Sequence, residues 1–395
     1  MPQNPPVLSE DQQRFFVNPY PSFRALREKP VIWDDAFGFW RITRFADVEA
    51  ILKDKRFMKN PPEGTALLPT NQADRFNQGI LNLDPPDHTR IRGLMVKAFN
   101  ATRMAAMRPV VNALVEHLLE QQKYRKKMEL KQDFAHPIPA TIISDMLGIP
   151  DEDRNLFSGL SQDIIRFGND LLVADDAAAN QATEQFDLYM TQLLAEKRLR
   201  PGDDLTSDLL HAKEHDDALS EEELLHNVRL LFIAGHETTV NLICNATVAL
   251  FQNPDQLELL RLRPELMPDA VEEFLRFDSS VQQLPRVAQE DVILHGETIL
   301  AGQMVVLMLG SANHDPATYT DGDTLDVERA YVRSKSFGGG AHFCLGAQLA
   351  RLETEIAVGK LISDLPGLRV DNLDSLSYPP NPFFRGPDEV HLSWD

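Results

Sequence analysis

Near its C-terminus the chain reads Phe337-Gly338-Gly339-Gly340-Ala341-His342-Phe343-Cys344-Leu345-Gly346, and a segment of helical composition follows from Ala347. Three consecutive glycines permit backbone conformations closed to other residues, so the chain can lie flat against a large planar group. The thiol of Cys344 then stands at a helix N-terminus, where unpaired N–H groups and the helix dipole favour the thiolate. Cys344 is therefore a candidate nucleophile or metal ligand. A buried structural cysteine beside a glycine-rich turn is the simpler alternative.

The spacing of this loop, Phe-x-x-Gly-x-His-x-Cys-x-Gly, resembles the haem-binding loop of the cytochrome P450 family, the haem-thiolate monooxygenases. The resemblance implies that Cys344 is the thiolate ligand of a haem b iron, a ligand that favours O–O cleavage. The N–H groups of Leu345 and Gly346 would hydrogen-bond the sulfur. Phe337 would shield the thiolate from water, and His342 would meet a haem propionate. The resemblance thus assigns these loop residues to cofactor binding: Phe337, Gly340, His342, Cys344 and Gly346.

Length and composition limit the classes of function. No Gly/Ser-rich or Pro-rich linker divides the 395 residues, so one domain over 1–395 is preferred to two. A formal net charge of −21 argues against nucleic acid or an anionic membrane as partner. No stretch approaches about 18 apolar residues and no signal peptide is evident, so we expect a soluble, cytoplasmic protein. We also expect a monomer. Two cysteines exclude a disulfide scaffold and fit a reducing compartment.

A long helix is predicted in the middle of the chain. Ser220 followed by Glu223 is typical of a capping box, and no proline interrupts residues 221–253 before Pro254. The later part of this segment is apolar on most faces, so the helix should cross the core rather than lie on it.

One stretch of this helix, Ala234-Gly235-His236-Glu237-Thr238-Thr239, conflicts with burial. A mid-helix glycine and a buried carboxylate are both unfavourable, and such a conflict predicts a functional site. The alternative is a kink in which Thr238 bonds to the Ala234 carbonyl while Glu237 faces a water pocket.

The family resemblance gives this stretch a role, because the corresponding family segment forms a bulge over the distal face of the haem, where dioxygen binds. Ala234 and Gly235 would border the haem, and Gly235 would leave room for the oxygen. Thr238 would hydrogen-bond the reacting oxygen and limit its loss as hydrogen peroxide, while Glu237 would relay protons from solvent. His236 is expected to point away from the reaction centre.

A further motif, Glu273-Phe274-Leu275-Arg276, also matches the family. Taken alone, a Glu and Arg three residues apart on a helix form a surface pair. The resemblance instead implies a buried network of Glu273 and Arg276, completed by Arg329, that holds the cysteine loop in place.

Basic residues for the haem propionates are predicted in two more segments. His88 and Arg92 lie four apart and hence on one helix face. A solvated basic face is the alternative, but the spacing resembles the His-x-x-x-Arg propionate clamp of the family. Arg286 matches a further propionate arginine, and His342 completes the set.

Short apolar runs at 31–33, 39–42, 292–294 and 304–309 predict strands. By themselves the runs support only an α+β class. The resemblance implies a mostly α fold with a small β-rich part, in which the haem lies between the long helix and the cysteine loop with its helix. The β-rich part is expected at about 25–60, 277–310 and 370–395, and the helical part at about 80–276 and 337–369.

The substrate-facing positions that the resemblance assigns are mostly apolar: Leu68, Ile80, Leu81, Ile165, Ile233, Val281, Leu284 and Phe383. Apolar walls with few polar anchors suit a hydrophobic small molecule. Arg75 or Arg166 could anchor a substrate carboxylate, although a surface position is expected for each. Aromatic, terpenoid, steroid-like and fatty substrates all stay open.

The sequence thus predicts a monooxygenase that inserts one atom of dioxygen into a hydrophobic small molecule. No flavin or iron–sulfur domain is evident, so electrons from NAD(P)H should arrive through a separate ferredoxin and its reductase. A basic patch of Arg90, Lys97 and Arg351 is expected to dock an acidic ferredoxin. The alternatives are a peroxide-driven peroxygenase on the same fold, which would not need Glu237 and Thr238, and a non-catalytic haem protein that binds a small molecule.

Overall fold

The computed structural model describes residues 9–62, 79–99, 101–154, 156–157, 159–160, 177–212 and 218–395. Helices predominate in these ranges, as the predicted fold class requires. The α-helices with described bounds are Glu10–Val17, Tyr20–Leu26, Phe45–Lys53, Asp87–Ala98, Ala101–Gln122, Pro137–Leu147, Ala177–Leu199, Leu205–His211, Glu221–Gln252, Pro254–Leu262, Met267–Phe277, Leu309–Ala312 and Ala347–Asp364. A π-helical turn, Lys131–Ala135, directly precedes the helix Pro137–Leu147.

The helix Glu221–Gln252, called the central helix below, confirms the predicted long helix. The Ser220 hydroxyl accepts the Glu223 N–H at 3.1 Å, and the Glu223 carboxylate accepts the Ser220 N–H at 2.8 Å, which is a complete capping box. Every residue from 239 to 250 is buried. This burial arises because the helices Pro137–Leu147 and Ala347–Asp364 pack against the central helix. The central helix therefore crosses the core.

The strands form three small sheets. They are β1 Val31–Asp34, β2 Phe39–Ile42, β3 Phe57–Met58, β4 Lys127–Glu129, β5 Gln283–Ala288, β6 Val292–Leu294, β7 Glu297–Ile299, β8 Met304–Met308, β9 Arg369–Val370 and β10 His391–Ser393. The largest sheet has the order β1-β2-β8-β5-β3. In it β2 and β8 run parallel and the other pairs run antiparallel. The four strands predicted from apolar runs are all observed.

Strand β4 lies outside the segments predicted to be β-rich. It pairs antiparallel with β10, with Met128 opposite Leu392, and β10 also pairs with β9. Three residues are too few to show the alternation that marks a strand, so the pairing depends on a partner far along the chain.

Buried apolar side chains form a large cluster among the helices and a smaller cluster around the largest sheet. The mostly α class with a small β-rich part is confirmed. A single domain over 1–395 stays a prediction.

Candidate functional site

The cysteine loop has a backbone that requires glycine at Gly340. This residue has φ +63°, and a Cβ there would lie 2.1 Å from the carbonyl oxygen of Leu52. The Cys344 N–H donates to the Phe337 carbonyl at 3.0 Å and closes the loop. Gly346 lies directly before the helix Ala347–Asp364. Cys344 is exposed, so its sulfur is accessible to a ligand.

The protonation of Cys344 differs from the expectation drawn from the helix dipole. Protein atoms around the thiol raise its pKa by desolvation, whereas the Gly346 N–H and the charges of Arg92 and Arg351 lower it. Desolvation is the largest of these effects. A cation that binds the sulfur would supply the missing stabilisation of the thiolate.

Phe337 begins this loop, and its ring contacts two nearby side chains. Its ring centroid lies 6.3 Å from that of Phe343, and the Arg351 guanidinium lies 4.6 Å from its ring centroid. Arg351 also pairs with Glu272 on the helix Met267–Phe277. These contacts fix the ring at the N-terminal end of the helix that follows Cys344.

The middle of the central helix is accessible at Ala234 and Gly235. Both residues are exposed, although their neighbours Phe232 and His236 are buried. A Cβ at Gly235 would meet no protein atom within 4 Å, so packing within the protein does not demand glycine there. This open face fits the predicted border of a haem.

The predicted bulge is absent from the described central helix, which runs unbroken through this stretch. The Thr238 hydroxyl donates to the Ala234 carbonyl at 2.9 Å, and the Thr239 hydroxyl donates to the Gly235 carbonyl at 3.1 Å. Such bonds to the carbonyl four residues earlier keep both hydroxyls on the helix and preserve its form. The bond from Thr238 to the Ala234 carbonyl, which the sequence offered as an alternative, is therefore present. The kink that was expected with it is not observed in this helix.

Glu237 faces a cation rather than only a water pocket. The Lys131 ammonium lies 3.6 Å from a carboxylate oxygen of Glu237, and it also donates to the Pro387 carbonyl at 3.2 Å. The side chains of Lys131 and Glu237 are 13% and 21% exposed, so the pair is shielded but still reaches solvent. Sequence reasoning missed Lys131, because it lies in the π-helical turn and far along the chain from Glu237.

His236 is buried, in contrast to the exposed residues Ala234 and Gly235. Its ring lies edge-on to His136, with the centroids 4.1 Å apart. Burial lowers the pKa of His236 to about 3 and that of His136 to about 4, so both rings are neutral at neutral pH.

The four residues predicted to bind propionates are close together. The rings of His88 and His342 lie 4.2 Å apart, between their centroids. Arg92 donates to the Phe343 carbonyl at 2.6 Å. Arg286 is buried on β5, and its guanidinium donates to the carbonyl of its own neighbour Pro285 at 2.8 Å. Burial lowers the pKa of Arg286 to about 10. Burial and the surrounding positive charges together lower the pKa of His342 to about 3.

This basic cluster fits an anionic group. Within the described ranges, neither ring nitrogen of buried His88 has a hydrogen-bond partner. Burial and the positive charges of Arg92 and Arg286 lower the pKa of His88, and among the described residues the charge of Asp84 raises it. The cationic and N–H donors of this cluster outnumber the acidic groups described near them. They therefore suit a ligand that carries carboxylates, such as haem with its two propionates.

The predicted structural network is assembled around Glu273. One carboxylate oxygen accepts Arg276 at 2.7 Å and Arg329 at 3.2 Å, and the other accepts Arg276 at 2.7 Å. Arg276 is fully buried and also donates to the carbonyls of Asn313 and Gly322, at 2.9 and 2.6 Å. The structure therefore brings Glu273, Arg276 and Arg329 together. Glu273 and Arg276 form a buried ion pair rather than a surface pair, and Arg329 binds the same carboxylate.

Six of the predicted substrate-facing residues can be described. Ile80 is buried, and its N–H donates to the Asn227 side chain of the central helix at 3.0 Å. Leu81 is exposed, and the half-buried residues are Ile233, Val281, Leu284 and Phe383. Leu68, Ile165, Arg75 and Arg166 lie outside the described residues. Val281 forms a bridge with Phe384 that joins the start of β5 to the C-terminal segment.

The predicted basic patch for a ferredoxin needs correction. Arg90 pairs with Glu223, and Arg351 pairs with Glu272. Lys97 is exposed. Since two of the three charges are compensated by glutamates, the patch is less positive than the sequence suggests.

Within the described part of the chain, no helix combines the length and apolarity of a membrane-spanning segment. The family model described as Cytochrome P450 matches residues 38–366.

Relatives match over nearly the whole chain. Vitamin D(3) 25-hydroxylase of Pseudonocardia autotrophica is 41% identical over 383 residues, which cover 94% of this chain and 93% of the relative. The structure of P450BioI in complex with hexadec-9Z-enoic acid ligated acyl carrier protein has a TM-score of 0.90 and 36% identity, and covers 98% of this chain and 100% of that one. CYP109E1 from Bacillus megaterium in complex with testosterone has a TM-score of 0.86 and 32% identity, and covers 96% and 99%.

Proposed function

The chain belongs to the cytochrome P450 family of haem b monooxygenases, and we propose that it inserts one atom of dioxygen into a hydrophobic small molecule. Electrons from NAD(P)H would arrive through a separate ferredoxin and its reductase. The observation that carries this proposal is the exposed stretch of the central helix, where Thr238 and Glu237 follow the accessible residues Ala234 and Gly235. Two cysteines fit a reducing compartment, and we place the protein, as a monomer, in the cytoplasm.

Cofactor binding would use the cysteine loop and the basic cluster. The bound haem supplies the iron centre at which dioxygen is reduced and its O–O bond is broken. Cys344 would ligate the iron, with the Gly346 N–H directed at the sulfur. His88, Arg92, Arg286 and His342 would hold the propionates, and Glu273 with its two arginines would keep the loop in position.

Proton delivery would depend on Glu237 and Thr238. Thr238 already donates its hydroxyl proton to Ala234, so its oxygen has lone pairs free to accept another proton. Lys131 holds the Glu237 carboxylate at 3.6 Å, a distance longer than a close ion pair, so the carboxylate can rotate between solvent and the interior. A half-shielded carboxylate is suited to carry protons from solvent to the reaction centre.

The substrate would be held mainly by burial. The described positions assigned to it are apolar, and the C-terminal segment with Phe383 is tied to Val281 by the neighbouring bridge. The relatives named above act on or bind vitamin D(3), testosterone and a carrier-bound fatty acid, and we extend this hydrophobic class to the present chain.

The proposal is tested by screening hydrophobic compounds for a spin-state change in the ferric spectrum. Binders are then incubated with a surrogate ferredoxin, its reductase, NADH and isotopically labelled dioxygen. One labelled oxygen atom in the product supports the proposal. Turnover only with hydrogen peroxide would indicate a peroxygenase, and binding without any turnover would indicate a non-catalytic haem protein.

A further inference from the structure

A lysine that the sequence motifs did not identify lies among the propionate-binding candidates. Strand β3 pairs antiparallel with β5, with Phe57 opposite Ala288 and Met58 opposite Val287. Extended by one residue beyond the end of β3, this register places Lys59 opposite Arg286. Two cations opposite each other on neighbouring strands destabilise a sheet unless an anion lies between them.

Among the residues that the structure describes, one acidic group acts on Lys59. Burial and the charge of Arg286 together lower the pKa of Lys59 to about 7, and among the described residues the carboxylate of Asp84 opposes these effects. The Asp84 carboxylate already accepts the N–H groups of Lys59 and Asn60 and the side-chain amide of Asn60.

We propose that Lys59 is a further ligand of the haem propionates, supplying an ammonium on the same edge of the cofactor as His88 and Arg286. This inference rests on the haem site of the proposed function. One carboxylate shared by Lys59, His88 and Arg286 leaves this group of donors short of negative charge, and two propionates correct that imbalance. A bound propionate also favours the charged form of Lys59, so haem binding and protonation of this lysine reinforce each other.

The alternative for Lys59 is a purely structural role, in which its ammonium only compensates the negative charge of the Asp84 carboxylate. The two roles differ in what a substitution does to the cofactor. Lys59→Met removes the charge and keeps most of the chain length, Lys59→Arg retains the charge, and Lys55→Met removes an exposed lysine four residues earlier in the same segment.

The test follows haem release from each purified holoprotein to an excess of apomyoglobin, together with resonance Raman spectra of the propionate bending modes. Lys59→Met should release haem about tenfold faster than the wild type, as expected for loss of a charge-assisted hydrogen bond. It should also shift the propionate bands. Lys59→Arg should stay close to the wild type in both measurements, and Lys55→Met should be unchanged.

Unchanged propionate bands in Lys59→Met would overturn the inference, even if haem were lost faster, because faster loss alone can follow from a weaker sheet. Equal effects of Lys59→Arg and Lys59→Met would also contradict a role for the charge. The spectrum of the reduced, carbon monoxide-bound protein separates this failure from that of the haem site. Absence of thiolate ligation in the wild type would remove both proposals, whereas thiolate ligation with unshifted bands would remove only the assignment of Lys59.

Discussion

The Lys131 ammonium lies 3.6 Å from the Glu237 carboxylate, so the π-helical turn and the central helix meet at a pair of opposite charges. Lys131 also donates to the Pro387 carbonyl in the C-terminal segment, at 3.2 Å. Three separate parts of the chain therefore position the residue that we propose as the proton carrier.

Replacement of Lys131 by Met should slow proton delivery, because Glu237 loses the cation that holds it. We expect roughly tenfold slower coupled turnover and a larger solvent isotope effect, within the usual range for impaired acid–base catalysis. Lys131→Arg should preserve most of the rate. The matched control is Lys360→Met, which breaks a remote ion pair with Glu116. A solvent isotope effect equal to that of the wild type would contradict a role in proton delivery.

Thr238→Ala should separate oxygen consumption from product formation. The substitution removes the hydroxyl that bonds to Ala234, so more of the NADH oxidised should appear as hydrogen peroxide while oxygen uptake continues. Thr247→Ala removes an equivalent bond to the Ile243 carbonyl two turns later and serves as the control. Peroxide and product are measured per NADH. Coupling in Thr238→Ala as high as in the control would count against the proposed role.

Arg276→Lys should destabilise the protein although it retains the charge. Lysine cannot reproduce the paired bonds to Glu273 together with those to Asn313 and Gly322. Breaking a buried ion pair typically lowers the free energy of unfolding by about 3–5 kcal/mol. Urea unfolding and the haem content per chain provide the measurements. Arg263→Lys, in an exposed pair with Glu328, should change the free energy of unfolding by less than about 0.5 kcal/mol. Equal stability of the two variants would exclude the structural role.

Acid should destabilise the fold through the buried pair His136 and His236. Their pKa values are about 4 and about 3 in the folded protein, against about 6.5 for an unfolded histidine. Below pH 6.5 the unfolded chain therefore binds protons that the folded protein does not, and stability falls as pH falls until the folded pKa is reached. Each histidine contributes about 1.4 kcal/mol per pH unit in this window.

Urea unfolding at pH 7, 6 and 5 measures this dependence. His236→Gln should reduce the slope of the free energy of unfolding against pH by the contribution of one histidine. His391→Gln, at an exposed position, should leave this slope unchanged. An identical pH dependence in His236→Gln and the wild type would show that His236 does not cause the acid sensitivity.

The sequence predicted the features that local patterns encode. The capping box of Ser220 and the apolar run after it predict the central helix, and the glycine spacing around Cys344 predicts the loop. Contacts between distant segments could not be predicted in this way. Lys59 joins the basic cluster only because a two-residue strand pairs with β5, and Lys131 meets Glu237 only because a π-helical turn packs on the central helix. The pKa of Cys344 likewise depends on atoms packed around the thiol, which the helix dipole does not reveal.

The most direct test of the central claim is the absorption spectrum of the reduced, carbon monoxide-bound protein. Ligation of haem by the Cys344 thiolate predicts a Soret band far to the red of that of a histidine-ligated haem, and loss of this band in Cys344→Ser. A band at the position typical of histidine ligation in the intact wild-type protein, or a red-shifted band that persists in Cys344→Ser, would contradict it.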